Sequence, residues 1–150
     1  MKNYFDKEIT SEIINRINLL NNNSQPLWGK MSVSQMLAHC NVTYELVYEN
    51  KNPKPNFFKK ILLKLFVKNF VVNEKPYKQN GPTGKEFIIK IDKDFDSEKK
   101  RLISYLLKTQ KLGGSYFHNK ESHSFGALTT SEWNNLFYKH LDHHLSQFGV

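Results

Sequence analysis

The chain has 150 residues, with 22 Lys+Arg against 14 Asp+Glu, six His and a single Cys, a size that suits one domain spanning 1–150. One cysteine excludes an intrachain disulfide and any zinc site built on two or more thiolates, so a metal would have to rest on His and carboxylates. The opening residues hold no continuous apolar run, and Lys64, Lys68 and Asn69 interrupt the most apolar stretch at 61–72. Neither a signal peptide nor a membrane-spanning helix is expected, and the cytoplasm is the expected location.

Ile9, Ile13, Ile17 and Leu20 recur at helical spacing and predict a first helix over 6–20, with Asp6 as N-cap and 21–24 closing it. Ser32 and Gln35 stand three apart as a capping box for a second helix running to about Tyr48, with Met31 and Met36 spaced for a hydrophobic staple. The linker 50–55 leads to a third amphipathic helix over 57–71. Its Phe58, Ile61, Leu62, Leu65 and Phe66 are expected to face a core, and Lys60, Lys64 and Lys68 to face solvent. Prolines and glycines make 75–84 a loop, a candidate lid or rim. The short run 86–91 reads as an extended piece packed on the helices. A fourth helix follows over 95–111 with Gly113-Gly114 as its stop, then a loop over 115–128. Thr129 and Glu132 form a second capping box, which opens a last helix over 130–147. The expected fold is all-α: a helical bundle with a long crossover holding an extra short helix or strand.

Chemistry concentrates in the histidines. With Trp133 at zero and about 100° per residue, His140 falls near −20° and His144 near +20°, in the middle of the last helix's apolar stripe, while His143 lies near −80° at its edge. Imidazoles at i and i+4 stand one above the other and can share one divalent cation. Burying two of them in an apolar face is costly unless something binds their lone pairs. A third imidazole would complete a site that keeps a position open for water or substrate. His39 is the best candidate, since on the second helix it flanks the stripe of Met36, Cys40, Thr43 and Val47. Three imidazoles suit zinc or nickel, with iron or copper as further options. Cys40 follows His39 but diverges from it by about 100°, so it reads as a small buried thiol. Trp28, Tyr44, Trp133 and Phe137 read as core or pocket wall.

The chain resembles the DinB-like, YfiT-like superfamily of proteins regarded as metalloenzymes, and within it a subgroup without assigned activity. The resemblance covers essentially the whole domain. It is carried by Trp28-Gly29-Lys30-Met31-Ser32 leading into Gln35-Met36-Leu37-Ala38-His39-Cys40, by Lys75-Pro76, and by His123-Ser124-Phe125-Gly126-Ala127-Leu128-Thr129 leading into Trp133. The strongest match is the closing stretch from Tyr138 through His140, His143 and His144 to Gly149. It implies a four-helix bundle of up-down-down-up topology, with a metal on one His of the second helix and a His-x-x-x-His pair on the last. By position these are His39, His140 and His144, the three that the helical angles select. The sequence departs from the family pattern at His123-Ser124, where the pattern has His-Pro ahead of the Phe-Gly turn.

The resulting expectation is a divalent-metal-dependent enzyme, either a hydrolase or a thiol-dependent S-transferase. Its partner would be a small-molecule substrate, with a low-molecular-weight thiol as one option. His123 is a candidate acid–base or substrate contact, and His118 has no assigned role. A homodimer is compatible with the family, whereas no membrane partner is expected. The competing class is a non-enzymatic basic helical module for nucleic acid or another anionic ligand, with the histidines serving packing. The lysine row at 60, 64 and 68 lacks interleaved aromatic residues on its own face, which disfavours a nucleic-acid platform.

Overall fold

The first helix, α1 (Lys7–Leu19), turns Thr10, Ile13 and Ile17 inward along the stripe that its periodicity predicts. Asp6 occupies the N-cap position without capping the helix through its side chain; its carboxylate instead accepts from Asn3 Nδ2 at 2.7 Å. Helix α2 (Val33–Tyr48) begins with the expected capping box: Gln35 N donates to Ser32 Oγ at 3.3 Å, and Ser32 N donates to Gln35 Oε1 at 3.0 Å. From Val33 to Tyr44 only Gln35 escapes burial, so α2 is a central helix, enclosed on all sides. The computed structural model describes residues 1–49 and 51–150; Asn50, in the expected linker, lies outside them.

The crossover departs from expectation. In place of one helix over 57–71 there are two, α3 (Phe57–Phe66) and α4 (Lys68–Val72), separated at Val67. No residue of α3 is buried. Phe58, Leu62, Leu65 and Phe66, expected to face a core, lie on the surface, and only the half-buried Leu63 side turns toward the body. The loop over 75–84 is followed by a 3-10 turn at Lys85–Phe87 where an extended piece was expected; the chain becomes extended only from Ile88. Lys139, on the last helix, anchors this crossover. Its buried ammonium donates to the main-chain oxygens of Phe70 and Asn73 and to Asn73 Oδ1 at 2.7–3.0 Å, satisfying carbonyls at the end of α4.

Helix α5 (Phe95–Phe117) joins two helical runs across a kink at the expected stop, Gly113-Gly114. Gly113, at φ +73° and ψ 166°, ends the first run there, and a short second run carries the chain on to Phe117. Next to Gly113, a Cβ on Gly114 would meet Thr130 Cγ2 at 2.8 Å, so this position admits the start of the last helix only as glycine. The segment expected as a loop over 115–128 contains a small antiparallel hairpin, β1 (Lys120–Ser122) and β2 (Gly126–Leu128), with Lys120 opposite Leu128. Helix α6 (Thr130–Gln147) opens with the predicted Thr129/Glu132 capping box.

The structure is thus mostly helical, with six α-helices and one two-stranded sheet among the described residues. Helix α2 packs against α5 and α6, α1 packs against the same two, and α5 packs against α6. Their shared core holds Ile13, Ile17, Met36, Leu102, Leu106 and Phe137, all essentially inaccessible to solvent. An aromatic column runs through it: Phe137 stacks on Tyr44 at 5.4 Å and on Trp133 at 5.4 Å. This packing sets the inner faces of α2 and α6 against each other at a fixed height, which is where the histidines lie. No described helix is long and apolar enough to cross a membrane.

Candidate metal centre

One ring nitrogen from each of His39, His140 and His144 lies within 4.8 Å of the other two. Among the described residues no other set of three such side chains converges. His140 and His144, one turn apart on α6, meet with ring centroids at 4.8 Å, and His39 on α2 closes the triangle at 5.0 Å and 4.5 Å. Two imidazole nitrogens sharing an ion at about 2.0–2.1 Å each are separated by roughly 3–3.5 Å. The 3.0 Å between His39 Nε2 and His140 Nε2 is close to that spacing.

The outer nitrogens settle which way each ring faces. Phe87 O lies 2.8 Å from His39 Nδ1 and, as a carbonyl, can only accept, so Nδ1 donates and the neutral ring presents a bare Nε2. His144 is fixed in the same sense through two steps. Gln147 Nε2 donates to Trp28 O at 2.7 Å, which turns Gln147 Oε1 toward His144 Nδ1 at 2.9 Å as an acceptor. His140 Nδ1 faces Thr43 Oγ1 at 3.0 Å, a hydroxyl that can donate or accept. Without an ion, Thr43 donates to Nδ1, and His140 Nε2–H donates to His39 Nε2. With an ion, the hydroxyl accepts from Nδ1–H, and all three Nε2 lone pairs converge. Each imidazole therefore has the outer hydrogen-bond partner that metal-bound histidines ordinarily have, and the donor set fits a divalent ion.

Charge favours the same state. Burial lowers the basicity of all three rings: His140 is held well below the ordinary value by burial and by its two neighbours, and His144 is pushed down to about 3 by burial, with His39 adding to the shift. His39 is lowered by burial, against the opposing pull of the Phe87 carbonyl. All three are neutral at pH 7 with lone pairs free to ligate.

Thr43, Gln147 and the Phe87 carbonyl were not singled out as partners by the sequence. Nor was Gly29, whose φ is +83° and where a Cβ would lie 2.5 Å from Gln147 Nε2. Only glycine lets Gln147 reach the adjacent carbonyl of Trp28. The spacing Gly29 … Gln147 carries no sequence signal, because the two meet only after folding.

His123 lies in the hairpin turn, its Nδ1 at 2.9 Å from Ser124 Oγ and its Nε2 at 3.4 Å from Asn52 O, and neither contact is to the three-histidine cluster. His118 is exposed at the end of α5. Cys40 is buried beside Met36, and burial pushes its thiol far above the usual range, as suits an inert side chain. Tyr44, Trp133 and Phe137 are core. Trp28 is a wall: with Tyr77, Tyr138, Lys139, Asp142 and His143 it lines a cleft of about 210 Å³. His143 stands between that cleft and the cluster, its ring 5.0 Å from that of His144, while His39, His140 and His144 do not themselves line the cleft.

The chain belongs to the family described as Protein of unknown function (DUF1569), which matches residues 4–149. No curated protein and no solved structure matches it. A mostly helical protein of this family with three close, largely buried histidines able to hold a metal ion is thus defined.

Proposed function

We propose that the protein is a divalent-metal-dependent enzyme of the DinB-like kind, with His39, His140 and His144 as ligands and α1, α2, α5 and α6 as a four-helix core of up-down-down-up topology. The observation that supports this reading is the convergence of the three imidazoles, each with a hydrogen-bond partner on its own Nδ1 that leaves its Nε2 available to an ion. Zinc or nickel is the expected ion, with iron and copper suited to the same donors. When bound, such an ion supplies Lewis acidity toward water, a thiol or a substrate carbonyl, which keeps hydrolysis and thiol transfer as the two reaction classes.

The protein's own residues supply the rest. Phe87 shields the ligands from one side, its ring 5.3 Å from His39 and 5.8 Å from His140. A small substrate occupies the cleft beside His143, where Trp28 and Tyr77 offer aromatic walls. His143, which lines the cleft, takes the acid–base role there in preference to His123, whose contacts are to Ser124 and Asn52: the His143 ring is half-buried and its basicity is lowered by burial, so it is neutral and able to accept a proton.

Elemental analysis of purified protein tests the ligand set. About one ion per chain is expected in the parent and loss of it in His39→Ala and His144→Ala; stoichiometric metal persisting in both variants would overturn the assignment. A metal-loaded screen of thiol cosubstrates with ester and amide substrates then tests the chemistry, with His140→Ala as the blank. Equal turnover in the blank would discard the mechanism.

A further inference from the structure

Helix α3 is amphipathic in an inverted sense. Taking Phe57 as zero and about 100° per residue, Ile61, Leu65, Phe58, Leu62 and Phe66 fill a continuous arc from about 40° to 180°. That arc faces away from the protein: Phe57 is 81% exposed, Phe58 71%, Leu65 68% and Phe66 77%. The opposite side, centred on half-buried Leu63, is the one turned to the body. Lys64 and Lys59 fall at about −20° and 200°, one at each border of the apolar arc. Six lysines and no Asp or Glu occur over 51–72.

We infer that α3 docks the protein onto an anionic lipid surface, its apolar arc entering the headgroup and acyl boundary and its border lysines reaching the phosphates. A helix with one broad Phe/Leu face flanked by lysines is the form that lies in a bilayer interface, where long cationic side chains extend to the headgroups. The expectation of no membrane partner rested on the lack of a membrane-spanning run, which a helix lying in the interface does not need, and the structure turns the apolar face of α3 outward. Its charge selects the occupant. A second copy would set lysine against lysine around the apolar arc, whereas an anionic bilayer complements it. Lys59 and Lys60 pair with Glu86 at 3.6 Å and Glu121 at 2.5 Å, and Lys68 with Glu132 at 2.7 Å. Pairs of this kind are weak enough at the surface for Lys59 to exchange a carboxylate for a phosphate. Among the described residues Lys54 and Lys64 have no carboxylate partner. The Lys59–Glu86 pair also sets the turn at Lys85–Phe87 beside α3, and that turn leads into exposed Ile88 and Ile91, in a segment whose Lys85, Lys90 and Lys93 are matched by Glu86, Asp92 and Asp94. Apolar side chains thus continue beyond the helix, while the excess of positive charge stays on residues 51–72.

Co-sedimentation of the full chain with vesicles tests the inference, using phosphatidylcholine alone and phosphatidylcholine with about a third phosphatidylglycerol at low salt. Binding is expected to the mixed vesicles only. Lys64→Glu should weaken it about fivefold or more, while Lys7→Glu, on the exposed face of α1, leaves it unchanged. The pair Phe58→Ser and Leu65→Ser should abolish it with no loss of melting temperature, because no α3 residue is buried. Absence of binding to the mixed vesicles, or equal losses in Lys64→Glu and Lys7→Glu, would overturn the inference. So would a dimer in light scattering that the Phe58/Leu65 variant converts to monomer without any vesicle binding, which would assign the face to a second copy. Each outcome is read independently of the metal site.

Discussion

At the scale of single residues, the candidate site is held less by its ligands than by the atoms behind them. Gly29→Ala adds one carbon 2.5 Å from the Gln147 amide, at a φ of +83° that disfavours any side chain. The amide then loses Trp28 O, and His144 loses the acceptor that fixes its tautomer. Metal affinity in Gly29→Ala is expected to fall about 10–100-fold, read by competition with a chromogenic chelator, although residue 29 touches no ligand. Retention of the parent affinity would show that His144 does not need Gln147.

The same rings make the metal-free protein sensitive to acid. His144 sits at about 3 in the folded chain against an ordinary 6.5, and His39 and His140 are lowered too. The unfolded chain therefore takes up protons first as the pH drops. The folded state has its full stability above pH 6.5 and loses it progressively between 6.5 and about 3. In the presence of chelator the melting temperature should decline through that window, and His144→Gln should decline less steeply. Parallel curves for the two proteins would contradict a buried, neutral His144.

At the scale of elements, exposure separates two kinds of leucine. Leu102 on α5 has no solvent exposure, and Leu102→Ala is expected to cost about 2–5 kcal/mol of unfolding free energy in denaturant titrations. Leu65→Ala on α3, where the side chain is 68% exposed, should stay within about 0.5 kcal/mol. Both residues are placed by the same periodicity, and this marks the limit of what the sequence discloses. Capping boxes are local, so Ser32/Gln35 and Thr129/Glu132 were legible outright, as were α1, α2 and α6. The i, i+4 spacing of His140 and His144 on the apolar stripe was legible for the same reason. Amphipathicity gives the direction of an apolar arc but not what lies opposite it, and so α3 reads as a core helix when it is a surface one. Gly113-Gly114 reads as a stop because glycine usually ends helices, and Gly113 at φ +73° does interrupt the helix; what the sequence does not show is that helical geometry resumes directly after it. The hairpin at 120–128 has strands of three residues, too short for alternation to register.

At the scale of the whole molecule, the three histidines join α2 to α6 across 101 residues of chain. An ion held there binds only the folded state, since the unfolded chain cannot bring His39 to the other two. At free metal about a hundredfold above the dissociation constant, this linkage adds roughly 2.7 kcal/mol, or about 5–10 °C in melting temperature for a chain of this length. Chelation should remove that increment, and His140→Ala should show none. A melting temperature indifferent to both would place the metal elsewhere or nowhere.

His39 is oriented by the main chain of the crossover. Phe87 contributes its main-chain oxygen, which every amino acid possesses, so replacing the side chain at 87 leaves the acceptor in place. What the tautomer of His39 asks of the crossover is therefore a path of the right length. Exchanging the side chain at 87 keeps that tautomer and removes only the ring beside the ligands, whereas adding or removing a residue between 75 and 94 is expected to shift the carbonyl off the imidazole. The orientation of His39 thus depends on the length of this segment, and the walls of the site on the identities of Tyr77 and Phe87.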